Sequence, residues 1–179
     1  MKKLFVMLAI AAGTVFSANA QSTGYVSGTL GFWRDNDAKT TQFSIVPEIG
    51  FNLSSRWALG VQIGYVYEQQ KVADVKIKDN GFIIAPYARY TLFSQGLFSM
   101  FLDGGVGYST TKADGAERQN GWEIGIKPGI MFNLSDNFSL VAKYGFLGYR
   151  DTYGLGRSFN GFGLGFTSEE LSLGFQCRF

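Results

Sequence analysis

Apolar and polar residues alternate with a period of two along most of the chain, and this pattern constrains the fold more than any other feature. In the clearest segment, residues 43–53, one face carries Phe, Ile, Pro, Ile, Phe and Leu, and the other carries Ser, Val, Glu, Gly and Asn. Such alternation is typical of a β-strand with one apolar and one polar face. The pattern predicts eight strands, at residues 25–34, 43–53, 57–68, 82–92, 98–108, 122–134, 138–146 and 171–179.

The polar segments between the predicted strands alternate in length. Strands joined alternately by short turns and long loops are the layout of an up-and-down barrel, with the turns at one end and the loops at the other. We therefore predict an all-β fold, an eight-stranded antiparallel up-and-down barrel with both termini at the turn end. The short segments lie at residues 54–56, 94–96 and 135–137, and the long ones at residues 35–40, 70–80, 111–119 and 150–170.

Two features interrupt the pattern. Pro47, Pro86 and Pro128 lie inside predicted strands at a shared depth. Proline lacks the N–H that a sheet ladder needs, so this position predicts a bulge or a kink at each proline. The last predicted strand is out of phase with the apolar residues at 162–166, which predicts a bulge or local turn at residues 167–170.

The size of the side chains on the two faces indicates which face points outward. The apolar faces are rich in Phe, Ile, Leu and Tyr, whereas the opposite faces carry Gly, Ser, Asn and a few charges. Because an eight-stranded barrel has room inside only for its own small side chains, the bulky faces must point outward, toward lipid. A closed barrel also satisfies its backbone hydrogen bonds without water. The prediction is a transmembrane β-barrel, with an exported soluble barrel or sandwich as the alternative.

The N-terminal residues have the features of a secretory signal peptide. Two lysines precede an apolar run over residues 4–16, and the small residues Ala18 and Ala20 occupy the positions that signal peptidase reads. We therefore expect residues 1–20 to be a signal peptide and residues 21–179 to be the barrel domain.

The chain lacks the residue types on which most catalytic and metal sites depend. It has no histidine and one cysteine, which excludes Ser-His-Asp hydrolysis and the commonest metal ligand. No glycine-rich phosphate loop occurs at the required spacing. Without the two signal-peptide lysines, 14 Lys and Arg balance 14 Asp and Glu, which argues against a nucleic acid partner. We expect no enzymatic activity and neither a cofactor nor a metal.

Five charged residues fall on inward faces at similar depth in the predicted barrel: Glu48, Arg89, Asp103, Lys127 and Lys143. An unpaired charge in a narrow lumen costs on the order of several kcal/mol, so these groups should form ion pairs. The two carboxylates should pair with the cations and leave one positive group to water or to a neutral partner such as Tyr87 or Gln62. Glu68 and Glu123 lie nearer the loops as a second layer, and Arg178 lies near the turn end.

The inward charges support two interpretations of function. As a structural ion-pair network they would seal the lumen of a non-enzymatic structural or interaction protein, whose loops face the outside. As the lining of a narrow pore or small-molecule carrier they would open transiently. No loop has a recognisable binding motif, so the extracellular ligand stays unidentified.

The chain ends in the alternating motif Leu171-x-Leu173-x-Phe175-x-Cys177-x-Phe179. Together with the eight alternating segments, this ending resembles the small outer-membrane barrel family that includes outer membrane protein X and the barrel domain of outer membrane protein A. The resemblance covers the chain after the signal peptide and implies a bacterial outer-membrane location with both termini in the periplasm. It implies outer-membrane lipid and the barrel assembly machinery as partners. The machinery would read Leu171, Leu173, Phe175 and Phe179 as its signal, with Cys177 as an atypical but apolar member of the series.

Overall fold

The computed structural model describes residues 24–35, 40–72, 75–113, 115, 117–154, 160–166 and 171–179. Within these ranges, no helix is long and apolar enough to cross a membrane. The predicted signal peptide and the predicted irregularity at residues 167–170 lie outside the described residues. The backbone forms ten strands: β1 (Gly24–Asp35), β2 (Thr40–Asn52), β3 (Trp57–Val72), β4 (Val75–Gln95), β5 (Phe98–Ala113), β6 (Gln119–Asn133), β7 (Phe138–Lys143), β8 (Phe146–Asp151), β9 (Asn160–Gly165) and β10 (Ser172–Arg178).

The ten strands form one closed antiparallel sheet. β1 to β6 pair in chain order, β6 pairs with both β7 and β8, and β9 pairs with β8. β7 and β8 are therefore the two halves of a seventh barrel strand, and β9 and β10 are the two halves of an eighth. β10 pairs with β7 and with β1, and its ladder with β1 closes the barrel from Tyr25↔Arg178 to Leu30↔Leu173. The predicted eight-stranded antiparallel barrel is confirmed.

The two faces of the strands differ as the alternation predicts. Outward residues such as Ile124 and Leu140 are large, apolar and exposed, whereas their chain neighbours Glu123 and Ser139 point inward and are buried. Because side chains of a strand alternate between its faces, each strand presents one surface to the outside and one to the lumen.

Aromatic side chains pack together on the outer surface near both ends of the barrel. At the turn end, the ring of Trp57 lies 4.8 Å from that of Tyr90, centroid to centroid. At the loop end, Trp122 stacks on Tyr149 at 5.0 Å. Aromatic bands at two depths are the pattern that membrane interfaces select in β-barrels.

All four predicted loops contain strand residues, and the predicted bounds are furthest wrong at two of them. β3 continues to Val72 and β4 begins at Val75, so the predicted loop at residues 70–80 is mostly a hairpin. β9 lies within the predicted loop at residues 150–170. The far part of the β3–β4 hairpin is rich in Gln and Lys. The alternation at residues 75–78 is short and out of phase with the run that starts at Phe82, although the backbone ladder continues.

The seventh barrel strand contains a break that sequence analysis did not predict. β6 pairs with β7 and with β8 in registers that differ by one residue, and Gly145 in the break has a φ of 91°. One extra residue transfers every following side chain to the other face. The alternation over residues 138–146 predicts Phe146 on the outward face with Phe138 and Leu140. This prediction is wrong, since the side chain of Phe146 is buried in the lumen.

Each of the three prolines lies where the ladder to the next strand is interrupted. The described ladder from β2 to β3 lacks the pairs at Pro47 and the residue before it, and the ladder from β4 to β5 lacks those at Pro86 and its predecessor. Pro128 lies on β6 opposite the break between β7 and β8, where its carbonyl accepts a hydrogen bond from the amide of Tyr144 at 3.0 Å. Because proline offers no N–H to the adjacent strand, the ladder opens locally.

Candidate functional site

Four inward side chains meet in the middle of the lumen, and we call them the central cluster: Glu48, Arg89, Asp103 and Lys143. Arg89 donates two hydrogen bonds to Asp103, from Nε to Oδ1 at 2.7 Å and from Nη2 to Oδ2 at 2.8 Å. Lys143 Nζ lies 2.5 Å from Oε1 of Glu48 and 3.0 Å from Oδ2 of Asp103. Arg89 Nη2 also lies 3.7 Å from Oε2 of Glu48. Two carboxylates and two cations therefore neutralise one another at one depth.

Neutral side chains complete the central cluster. Tyr87 donates its hydroxyl hydrogen to Oε2 of Glu48 at 3.0 Å, and Gln62 donates to Oε1 of the same carboxylate at 3.1 Å. Arg89 donates to Oε1 of Gln176 at 2.9 Å. The sequence predicts Tyr87 and Gln62 as neutral partners for a leftover cation, but in the structure both donate hydrogen bonds to the carboxylate of Glu48. A buried ionic network is stable only when its members are hydrogen-bonded in this way.

Lys127 does not join the central cluster. It belongs to a second group nearer the loops, the outer cluster, formed by Glu123, Lys127 and Arg150. Lys127 Nζ lies 2.5 Å from Oε1 of Glu123, and Arg150 Nε lies 2.9 Å from Oε2. Lys127 is the register partner of Asp103 on β5, but Arg89 and Lys143 already occupy both oxygens of that carboxylate.

The sequence predicts Arg150 in a loop and Glu68 in the same layer as Glu123. In the structure Arg150 lies on β8 and points into the lumen, because the break at Gly145 shifts the face of every residue after it. Glycines recur on the inward faces, so Gly145 by itself gave no signal of the break. Glu68 accepts a hydrogen bond from Nε2 of Gln42 at 2.5 Å, and the outer cluster does not include it.

Aromatic rings fill the lumen around the two clusters, and glycines on neighbouring strands make room for them. A Cβ atom at Gly129 would overlap the ring of Phe101, and one at Gly60 would overlap the ring of Tyr87. Phe101 packs with other apolar residues on the turn side of the central cluster, and the Arg89 guanidinium lies 4.0 Å from its ring centroid. The ring of Phe101 therefore lies against the ion pairs on their turn side.

Little free space remains at the middle of the described lumen. Between the two clusters lies a cavity of about 20 Å³, bordered by Gln62, Asp103 and Lys127, which has room for about one water molecule. On the turn side, a larger cavity of about 330 Å³ extends from the β2–β3 turn to Arg89 and Phe101. In the part of the barrel that the structure describes, rings and ion pairs thus separate the turn-end cavity from the loop end.

The residues of the terminal motif lie along the seam that closes the barrel. Leu171, Leu173 and Phe175 are exposed on the outer surface, as is the free thiol of Cys177. Phe179 and Gly24 exchange two backbone hydrogen bonds, of 3.0 and 3.2 Å. The role of the motif in assembly stays a prediction from the resemblance.

Comparisons with known proteins agree with this geometry. A family model described as outer membrane protein beta-barrel domain matches residues 4–179. The N-terminal β-barrel domain of Pseudomonas aeruginosa OprF is 17% identical, with 89% of this chain and 98% of that chain covered and a TM-score of 0.52. Neisserial surface protein A (NspA) is 15% identical, with 88% and 96% covered and a TM-score of 0.56. At these identities the two structures show the fold alone. No curated protein matches the chain significantly.

Proposed function

The chain belongs to the outer membrane protein β-barrel domain family, and we propose that it is a non-enzymatic structural and interaction protein of the bacterial outer membrane with a sealed lumen. The family supports the outer-membrane location. Sealing of the lumen, a role for the loops outside the cell and the lack of catalysis are our proposals. The 179 residues of the chain include no histidine, which is consistent with a protein that performs no acid–base catalysis of the common kind.

The central cluster is the observation that carries this proposal. Its charged side chains are almost completely buried, with exposed fractions of 6% or less for all four. Moving one of them aside to admit an ion would leave its partner buried and unpaired, which costs on the order of 3–5 kcal/mol. The apolar ring of Phe101 lies directly beside the cluster and adds a second obstacle on the turn side.

Conductance in a planar bilayer tests the sealed lumen. The refolded barrel should show no conductance steps. A variant with Glu48→Ser and Lys143→Ser removes one matched ion pair, keeps Arg89 with Asp103 and opens space, so it should leak and confirm that inserted barrels are detected. Clear steps in the parent protein would overturn the proposal in favour of a narrow pore or carrier.

We further propose that the turns and both termini face the periplasm and that the loops face the outside. This orientation follows the predicted signal peptide and the usual layout of bacterial barrels. Single cysteines at Glu117→Cys, at the loop end, and at Asp136→Cys, in a turn, test it in a Cys177→Ser background. In intact cells a membrane-impermeant maleimide should label only position 117, and permeabilised cells should show labelling at both. Labelling of position 136 in intact cells would reverse the orientation.

A further inference from the structure

The turn-end cavity has the size and the walls of a small binding site. Its volume of about 330 Å³ lies at the lower end of the range for small-molecule pockets, which is about 300–1,000 Å³. Polar side chains from four strands line it: Asn52 on β2, Thr91 on β4, Ser99 on β5 and Gln176 on β10. The cavity opens beside the β2–β3 turn and ends at the central cluster, so a ligand would enter from the turn end.

The charges around this cavity have one sign. Three arginines line it, Arg56, Arg89 and Arg178, and none of the lining residues that the structure describes is Asp or Glu. Arg89 is already held by the two oxygens of Asp103. Arg56 and Arg178 therefore supply positive charge to a cavity whose described lining contains no acidic side chain.

Arg178 is the more unusual of these two groups. Its Nη2 donates only to neutral acceptors, Oδ1 of Asn133 and Oγ of Ser139, each at 3.0 Å. Its Nε is buried and has no hydrogen-bond acceptor. A buried donor without an acceptor is uncommon and destabilising. An anion in the cavity would place a negative charge beside this guanidinium.

Arg56 provides a second contact at the mouth of the cavity. It lies in the β2–β3 turn and is exposed, and its Nη1 reaches the hydroxyl of Tyr90 only at 3.4 Å. This guanidinium is therefore held loosely by its own chain. Planar guanidinium groups bind carboxylate and phosphate oxygens in pairs, more strongly than neutral donors do.

We propose that the turn-end cavity binds a small anion of the carboxylate or phosphate class, held by Arg178 inside and by Arg56 at the mouth. The site itself does not depend on the proposed sealed lumen. Access from the periplasm rests on the proposed orientation. The conductance and labelling experiments test those two proposals separately, so either can fail while anion binding holds.

Calorimetric titration of the refolded mature barrel in detergent tests the site. Citrate and inorganic phosphate are titrated separately at constant ionic strength, and saturable binding of one shows which chemistry the cavity prefers. Arg178→Gln should weaken the preferred anion about tenfold or more, since a charged hydrogen bond contributes about 1.5–3 kcal/mol. Arg56→Gln should weaken it less.

Arg118→Gln is the matched control, because Arg118 is an exposed arginine at the loop end, and its affinity should equal that of the parent. The gel shift between unheated and boiled samples verifies that each variant is folded. If Arg178→Gln does not fold, Arg56→Gln alone still decides, because its side chain lies in an exposed turn. Absence of saturable binding for both anions, or equal affinities in the parent and the cavity variants, would overturn the proposal.

Discussion

Lys143 Nζ on β7 lies 2.5 Å from Oε1 of Glu48 on β2, although these two strands are not neighbours in the sheet. The ion pair therefore joins parts of the wall that share no backbone hydrogen bonds. Lys143 also contacts Asp103 on β5, which Arg89 on β4 holds in turn. Side chains inside the lumen thus connect four strands across the barrel, and the stability of the barrel should depend on them.

Glu48→Gln tests this dependence. The substitution keeps the shape of the side chain but removes a charge, so Lys143 and Arg89 must share Asp103 alone. We expect the free energy of unfolding to fall by about 3–5 kcal/mol, the range for breaking a buried ion pair. Urea titration of the refolded protein in detergent micelles measures the loss. Glu117→Gln is the control, since Glu117 is exposed at the loop end and should leave the midpoint unchanged.

The double variant Glu48→Gln with Lys143→Met separates loss of a charge pair from loss of packing. With both charges removed, no cation remains buried without a counterion, so much of the stability should return. Such recovery, analysed as a double-mutant cycle, would give the interaction free energy between the two residues. An unchanged midpoint in the single variant would mean that water reaches the cluster and screens it.

Gly129→Ala tests the packing of rings against glycines in the lumen. The added methyl group would overlap the ring of Phe101, which closes the turn side of the central cluster. Forcing this ring aside should lower the free energy of unfolding by about 1–3 kcal/mol, as overpacking does in cores. Gly104→Ala is the control, because a Cβ atom there meets nothing within 4 Å. Equal midpoints for the two variants would contradict the tight packing.

Glu123→Gln should be less destabilising than Glu48→Gln, although both remove a carboxylate that contacts two cations. In the outer cluster the side chains of Lys127 and Arg150 are 25% and 20% exposed, so water can solvate them after the carboxylate is gone. We expect a loss of about 1–2 kcal/mol, between the values for exposed and for buried pairs. The same urea titration measures it, and a loss as large as that of Glu48→Gln would place the outer cluster in an equally dry environment.

The barrel wall could be predicted from the sequence because lipid on one side and a narrow lumen on the other impose strict alternation. Counting inward positions from the turns put Glu48, Arg89 and Asp103 at one depth, and the structure brings these side chains into contact. Depth alone could not decide the partner of Lys127. Lys127 is the register partner of Asp103 in the β5–β6 ladder. Its actual ion-pair partner depends on which cations from other strands already contact the Asp103 carboxylate, as Lys143 does.

The loop end could be predicted less well, for two physical reasons. The one-residue shift at Gly145 reverses which side chains face the lumen, so Phe146 and Arg150 were assigned to the wrong environment. The alternation at residues 75–78, Val-Lys-Ile-Lys, is short and out of phase with the run that starts at Phe82. It therefore did not mark the ladder that the structure shows.

Phe179→Ala should impair insertion into the outer membrane in cells far more than Cys177→Ser does. The resemblance predicts that the assembly machinery reads the terminal aromatic residue, whereas Cys177 is an exposed apolar position without a disulfide partner. The amount of heat-modifiable barrel in isolated outer membranes measures insertion. Phe51→Ala is the matched control, because it removes an exposed phenyl group from β2, near the turn end and outside the motif.

Phe179→Ala should still refold in detergent, where no machinery acts, because its backbone hydrogen bonds with Gly24 do not need the ring. Insertion of Phe179→Ala at the level of the other two variants would contradict the assigned signal, and failure to refold in detergent would show that the ring acts on stability instead.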